Sequence, residues 1–229
     1  MATIYEVSKL AGVSLATVSR VMNDSGKVSE KTRQKVLAAM EQLDYRPNTI
    51  AQSLAANRSN CVGVLVSELS GPIFGPMVSS IEKELTRAGK FTLFAAGHSD
   101  AKKEQQGIEF LTARNCDALI LHVEALKNEF FTGRRDKLLP FVLLNRVAPG
   151  LENHCISLNN ERGGYQATRL LVQMGHRDIA YIAGPLGWGD AQARLAGHRR
   201  ALAESRIDFD EQLLFEGGYN DAGGFQAMQ

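Results

Sequence analysis

Apolar residues at the start of the chain recur at helical spacing. Ile4, Val7, Ser8 and Ala11 fall on one stripe and predict a short helix over residues 3–10. Gly12 can take the left-handed backbone that ends such a helix, and Ser14 is a good N-cap for the next. On that second helix Thr17, Val18, Val21 and Met22 share one side. Ala16, Ser19, Arg20 and Asn23 share the other, with Leu15 on the border. A third helix is predicted from Ser29, with Glu30 in its first turn, to about Leu43. Its stripe of Val36, Met40 and Leu43 closes a three-helix core with Val7, Val18 and Val21. Tyr45-Arg46-Pro47-Asn48 then breaks the pattern, because the residue before proline resists helix. A short helix over 49–56 is below the ~12–15 residues that persist alone in water, so it needs an outside partner to form.

From Cys61 the pattern changes to continuous apolar strands alternating with amphipathic helices. Strands are predicted at 61–66, 91–95, 118–122 and 141–144, with helices at 75–88, 101–114 and around 124–131. This is the pattern of a doubly wound parallel α/β sheet. A second such unit is expected to start with a short strand at 155–158. It continues with helices at 163–174 and 191–205 and strands at 179–183 and 212–215. The first turn of a further helix is expected near 223. The second unit has about three strands where such sheets usually have about five or six, so it is expected to be incomplete. The predicted divisions are a head at 1–46, a linker at 47–58, a first lobe at 59–155 and a partial second lobe at 156–229.

Composition narrows the function. The 229 residues are 44% hydrophobic with net charge +1, which fits a soluble protein with room for two domains. No apolar run could span a bilayer and no charged-then-apolar leader opens the chain, so a cytoplasmic protein without membrane contact is expected. Cys61, Cys116 and Cys155 lack metal-like spacing and read as reduced thiols, and the five histidines pair with no ligand set; no metal site is expected. There is no Walker-type phosphate loop, Gly184-x-x-Gly187-x-Gly189 has the wrong spacing for a dinucleotide fingerprint, and no nucleophile–base set can be nominated. Neither catalytic residues nor a cofactor are expected, which argues against a sugar-active enzyme carrying a DNA-binding head. The first sixty residues hold eight basic and five acidic side chains, a net +3 that leaves the remainder at −2. A basic head on a slightly acidic body fits nucleic-acid contact at one end.

Two short helices with a glycine turn between them form the helix-turn-helix pattern. Small residues beside one arginine let the outer face of the second helix sit close in a major groove. Lys27, Lys31, Thr32 and Arg33 gather near the start of the third helix, where phosphates can be held. Periodicity alone leaves open a helical hairpin that only packs.

The run Gly12-Val13-Ser14-Leu15-Ala16-Thr17-Val18-Ser19-Arg20-Val21 closely resembles the signature of the lac repressor family of bacterial transcription regulators. That resemblance implies an all-α head on a periplasmic-binding-protein-like body of two parallel α/β lobes. It implies a homodimeric repressor on double-stranded operator DNA, with Leu15, Ala16 and Arg20 reading base edges. Ser14, Thr17, Ser19, Asn23, Lys27 and Thr32 would lie at the same surface. The spacing of Pro47, Asn48, Ala51 and Leu54 matches the family's hinge, in which paired helices enter the minor groove and Leu54 would wedge between base pairs. The resemblance further implies a sugar effector in the cleft between lobes. Ser70 and Phe74 would line it, Asn145 would bond hydroxyls, and Arg194 would reach across from the second lobe, with Asp190 as a weaker candidate. Gly71 and Asn159 depart from the commoner Asn or Asp and Asp at these places. Phe74-Gly75-x-Met77-Val78, Leu143-x-Asn145-Arg146 and Leu202-Ala203-Glu204-Ser205-x-Ile207 resemble the galactose-responsive branch of the family. Galactose or a galactoside is therefore the expected effector. Family chains continue past the point where this one stops, so a DNA-binding module blind to effector is the alternative expectation.

Overall fold

The computed structural model describes residues 2–23, 25–46, 58–134 and 137–229. They fall into two compact units divided between Ser59 and Asn60, each with its own apolar core.

Among the described residues the first unit is three helices, each started by a hydroxyl side chain. α1 (Ile4–Ala11) is capped by Thr3. Its side chain accepts from the Glu6 backbone N–H while the Glu6 carboxylate accepts from the Thr3 N–H at 2.7 Å. Gly12, at φ 64° and ψ 38°, ends it in the left-handed region, and the Ser8 hydroxyl donates to the Val13 carbonyl at 2.6 Å. α2 (Leu15–Met22) is capped by Ser14 and α3 (Glu30–Gln42) by Ser29, as expected. Val7, Ala11, Val18, Val21, Val36 and Ala39 are buried between the helices. Each buried valine stabilises so small a core by roughly 1.5 kcal/mol or more. The hinge residues Pro47, Asn48, Ala51 and Leu54, and the helix expected over 49–56, lie outside the described residues.

The second unit opens with a five-stranded parallel sheet in the order β2-β1-β3-β4-β5. Its strands are β1 (Cys61–Val66), β2 (Phe91–Ala96), β3 (Ala118–Leu121), β4 (Phe141–Leu144) and β5 (Cys155–Ile156). They are connected through α4 (Phe74–Arg87), α5 (Ala101–Ala113) and α6 (Asn128–Thr132). Leu65, Ile108, Leu111, Leu119, Leu121, Phe131 and Leu143 form its core. The strand expected to begin the second unit is the edge of the first sheet, because Cys155 and Ile156 pair in parallel with Leu143 and Leu144. The helix expected around 124–131 starts only at Asn128, because the N–H groups of Glu124, Ala125 and Leu126 are held by the buried Glu104 carboxylate.

The rest of this unit contains α7 (Asn160–Gln173), β6 (Tyr181–Ala183), α8 (Gly189–Glu204), β7 (Leu214–Glu216) and α9 (Asp221–Ala227). Among the described residues its sheet is the parallel pair β6-β7 alone, since β5 belongs to the other sheet. α7 begins three residues ahead of the expected position, where the Asn159 side chain accepts from the Arg162 N–H at 2.9 Å. α7 and α8 cross backbone against backbone. A Cβ on Gly164 would stand 2.1 Å from the Arg194 carbonyl oxygen, and one on Gly197 would stand 1.9 Å from that of Glu161. Only glycine permits this approach, and it sets where Asn160 and Arg194 meet.

Candidate nucleic-acid interface and ligand cleft

In the head, burial sorts the second helix as its pattern predicts. Val18 and Val21 are buried, while Ser14, Ala16, Arg20 and Asn23 are exposed and Leu15, Thr17 and Ser19 are partly covered. The Ser14 and Thr17 hydroxyls lie 2.9 Å apart, and the Thr17 N–H donates to Ser14, so both side chains secure the first turn of α2. Ser29 and Thr32 repeat this arrangement at the start of α3, with hydroxyls 2.8 Å apart. The Arg20 stem runs beside the turn at Gly26, where an added Cβ would lie 3.5 Å from Arg20 Cδ. Lys27 is exposed on the same connection. The result is an exposed face of small side chains and one arginine on a rigid, capped helix.

In the body, the parallel strands deliver their carboxyl-terminal ends to one side, the place where such sheets bind small molecules. Asn145 follows β4 in the left-handed region at φ 53°. The Asn160 amide donates to Asn145 Oδ1 at 3.3 Å and accepts from Arg194 Nε at 2.8 Å. Arg194 also bonds the Tyr219 hydroxyl at 2.8 Å and pairs with Asp190 at 3.2 Å. Tyr219 donates to Asp190 at 3.4 Å and lies 6.1 Å, centroid to centroid, from Trp188. Burial, then the Asp190 carboxylate beside it, pushes the Tyr219 hydroxyl up to about 12. Asn145, Asp190 and Arg194 are thus brought into one network that joins the end of β4 to α7 and α8.

The floor of the same side is built from β1 and β3. Ser67 follows β1, His122 and Glu124 follow β3, and Ser99 follows β2. Ser67 Oγ lies 3.3 Å from His122 Nδ1 and donates to Glu124 Oε2 at 3.0 Å, an oxygen that also accepts from Ser99. The Phe74 ring stands edge-on to His122 with centroids 5.1 Å apart. Burial pushes the His122 imidazole below its ordinary value, against the pull of the Glu124, Asp190 and Glu104 carboxylates. Arg146 serves from behind. It bonds the Asn128 side chain at 2.8 Å and the Val123 carbonyl at 3.3 Å, tying α6 and the loop after β3 to β4. Ser70 is exposed in the loop after β1 and makes none of these bonds. Gly71 beside it has φ +93°, in the region that favours glycine. Asn159 supplies the helix cap that an Asp would.

Residue patterns alone did not single out Ser67, His122, Glu124, Asn160 or Tyr219. The usable signal for the first three was position, since each stands within a few residues of a strand's carboxyl end. Asn160 and Tyr219 carry no such mark.

Such a head and such a cleft in one chain define a class: ligand-controlled DNA-binding regulators. The profile described as "Bacterial regulatory proteins, lacI family" matches residues 3–48. The profile described as "Periplasmic binding proteins and sugar binding domain of LacI family" matches residues 59–229. The chain is 42% identical over 228 residues to the HTH-type transcriptional regulator GalR of Salmonella typhimurium, covering 100% of this chain and 67% of the relative. It is 38% identical to GalS of the same species, over 100% of this chain and 67% of that one. A crystal structure of the lac repressor dimer bound to operator and an anti-inducer superposes with a TM-score of 0.85 at 32% identity, over 98% of this chain and 68% of that one. A cellobiose complex of the regulator CelR gives 0.63 at 30% identity, over 100% of this chain and 69% of that one. The chain therefore belongs to the lacI family of bacterial regulatory proteins, and it spans about two thirds of the length of these relatives.

Proposed function

We propose that the chain acts in the cytoplasm as a homodimeric repressor of a near-palindromic operator, controlled by galactose or a galactoside. Leu15, Ala16 and Arg20 read base edges in the major groove. Ser14, Thr17, Ser19, Asn23, Lys27 and Thr32 contact or orient the phosphate backbone. Ala51 and Leu54 enter the minor groove from the hinge. Ser70, Phe74, Asn145, Asp190 and Arg194 hold the sugar, joined by Ser67, His122 and Tyr219.

The observation that carries the effector reading is the Asn145–Asn160–Arg194–Asp190 network. It sets planar amide, guanidinium and carboxylate groups beside the Tyr219 ring, whose centroid lies 5.3 Å from Arg194 Cζ. A sugar needs both, a flat apolar face for its CH groups and bidentate partners for adjacent hydroxyls. The 42% identity to GalR over the whole chain favours galactose among the sugars.

The test is an operator titration on this chain with and without galactose, repeated across salt. Tight binding to one duplex, a steep decline with salt and a shift with galactose are expected. Equal weak affinity for every duplex, with the head shown to be folded, would end the regulator reading. Loss of the sugar response alone would end only the effector reading.

A further inference from the structure

The polar groups after β1, β2 and β3 share a small number of protons and lone pairs. Ser67 has one hydroxyl proton and two possible acceptors within reach, Glu124 Oε2 at 3.0 Å and His122 Nδ1 at 3.3 Å. The carboxylate is nearer and charged, and a carboxylate can only accept, so the proton goes to it. Ser67 is then left to His122 as an oxygen lone pair. For the two to bond, Nδ1 must carry the hydrogen. A neutral imidazole has one N–H, so Nε2 becomes the acceptor. Ser67 and His122 are 3% and 5% exposed, which leaves little water to compete for these positions.

Glu124 is itself fixed on both sides. Its backbone N–H donates at 2.8 Å to Glu104, which is 1% exposed and also holds the next two N–H groups of the loop. Its carboxylate takes a second hydroxyl from Ser99, a residue in the left-handed region at φ 52°. The carboxylate therefore cannot swing away from Ser67 without also giving up Ser99.

We propose that Glu124 is a positioning residue which, acting through Ser67, fixes His122 as its Nδ1–H tautomer and so makes Nε2 a hydrogen-bond acceptor. This rests on the effector reading above for its purpose: an acceptor at this point receives a sugar hydroxyl and rejects a ligand offering only lone pairs. The charged groups acting on the ring are Glu124, Asp190 and Glu104, and its burial keeps it neutral at pH 7 against all three.

The experiment is nitrogen-15 NMR on the full chain with labelled histidine, His122 being assigned by its loss in His122→Gln. At pH 7.5 the wild type should show a protonated Nδ1 and an unprotonated Nε2 at His122. Glu124→Ala should free the Ser67 proton to point at the ring and shift His122 toward the Nε2–H form, while Glu124→Gln, whose amide oxygen still accepts, should restore the original form. Ser67→Ala, which cuts the relay, should make the tautomer insensitive to residue 124. Galactose titration should weaken about tenfold in Glu124→Ala and recover in Glu124→Gln. A wild-type Nε2–H tautomer, or no change in Glu124→Ala with circular dichroism unaltered, would overturn the proposal. The predicted tautomer and its dependence on residue 124 without any galactose binding would support the relay and defeat the effector reading instead.

Discussion

Arg194 donates from Nε to Asn160 Oδ1 at 2.8 Å, and this bond exists because α7 and α8 touch through Gly164 and Gly197. Asn160 hands the connection on to Asn145 at the end of β4. One arginine thereby couples the helices of the second lobe to the sheet of the first. Any hydroxylated ligand entering there competes for amide and guanidinium groups already facing each other. Under the proposed function, ligand binding would bias this connection between helices and sheet.

Arg194→Lys is expected to weaken galactose binding by roughly 1.5–3 kcal/mol, because an ammonium cannot reproduce the planar fork that meets Asn160, Tyr219 and Asp190 together. Operator affinity without sugar should be unchanged. Calorimetry for the sugar and a gel-shift titration for DNA separate the two; equal losses in both would mean that Arg194 only supports the fold.

The reading surface gives a second expectation. Arg20 is exposed on α2 beside Ala16, with its stem lying along the turn at Gly26. Arg20→Ala should cost roughly 1–3 kcal/mol on the cognate operator and relax preference at one base position in each half-site. A uniform loss on all duplexes would assign Arg20 to phosphate instead.

These two sites differ in how far the amino-acid sequence discloses them. The reading helix is local: its cap, its buried valines and its exposed face all follow from the 3.6-residue period, so it is legible residue by residue. The cleft is not. Asn145, Asn160 and Tyr219 are far apart in sequence, and only the glycine-mediated crossing and the parallel strand order bring their elements together. β5 is illegible for a related reason: a two-residue strand carries no period, and only pairing with Leu143 and Leu144 decides its sheet. The late start of α6 was hidden because its cause, Glu104, lies twenty residues upstream on another helix.

Glu104 supports a third prediction. Its buried carboxylate accepts at 2.8–3.2 Å from three consecutive N–H groups, and no side-chain shortening can be compensated by solvent there. Glu104→Ala should destabilise the body by about 3 kcal/mol or more, whereas Glu104→Gln, keeping one acceptor oxygen, should cost less. Urea denaturation of both variants checks this; equal small losses would show that the loop holds itself.

Stability should also fall on mild acidification, through His198. This ring is 1% exposed, packed 4.7 Å from the Tyr181 ring, and its Nδ1 lies 2.8 Å from the Thr168 hydroxyl. Thr168 gives its own proton to the Gly164 carbonyl at 3.0 Å, so the hydroxyl accepts from Nδ1–H. Burial, and secondarily the Arg199 charge, lower the His198 pKa from its ordinary value of 6.5. Above that value both folded and unfolded chains hold the ring neutral, and the stability is fully present. As pH falls through it, the unfolded chain takes up a proton that the folded chain refuses, so stability is lost progressively toward the lowered folded value. Melting temperatures measured between pH 8 and pH 5 should therefore decline below about pH 6.5. His198→Gln should flatten part of that decline while costing some stability at pH 8. A variant with the wild-type slope would show that His198 protonates as readily in the folded chain as in the unfolded one.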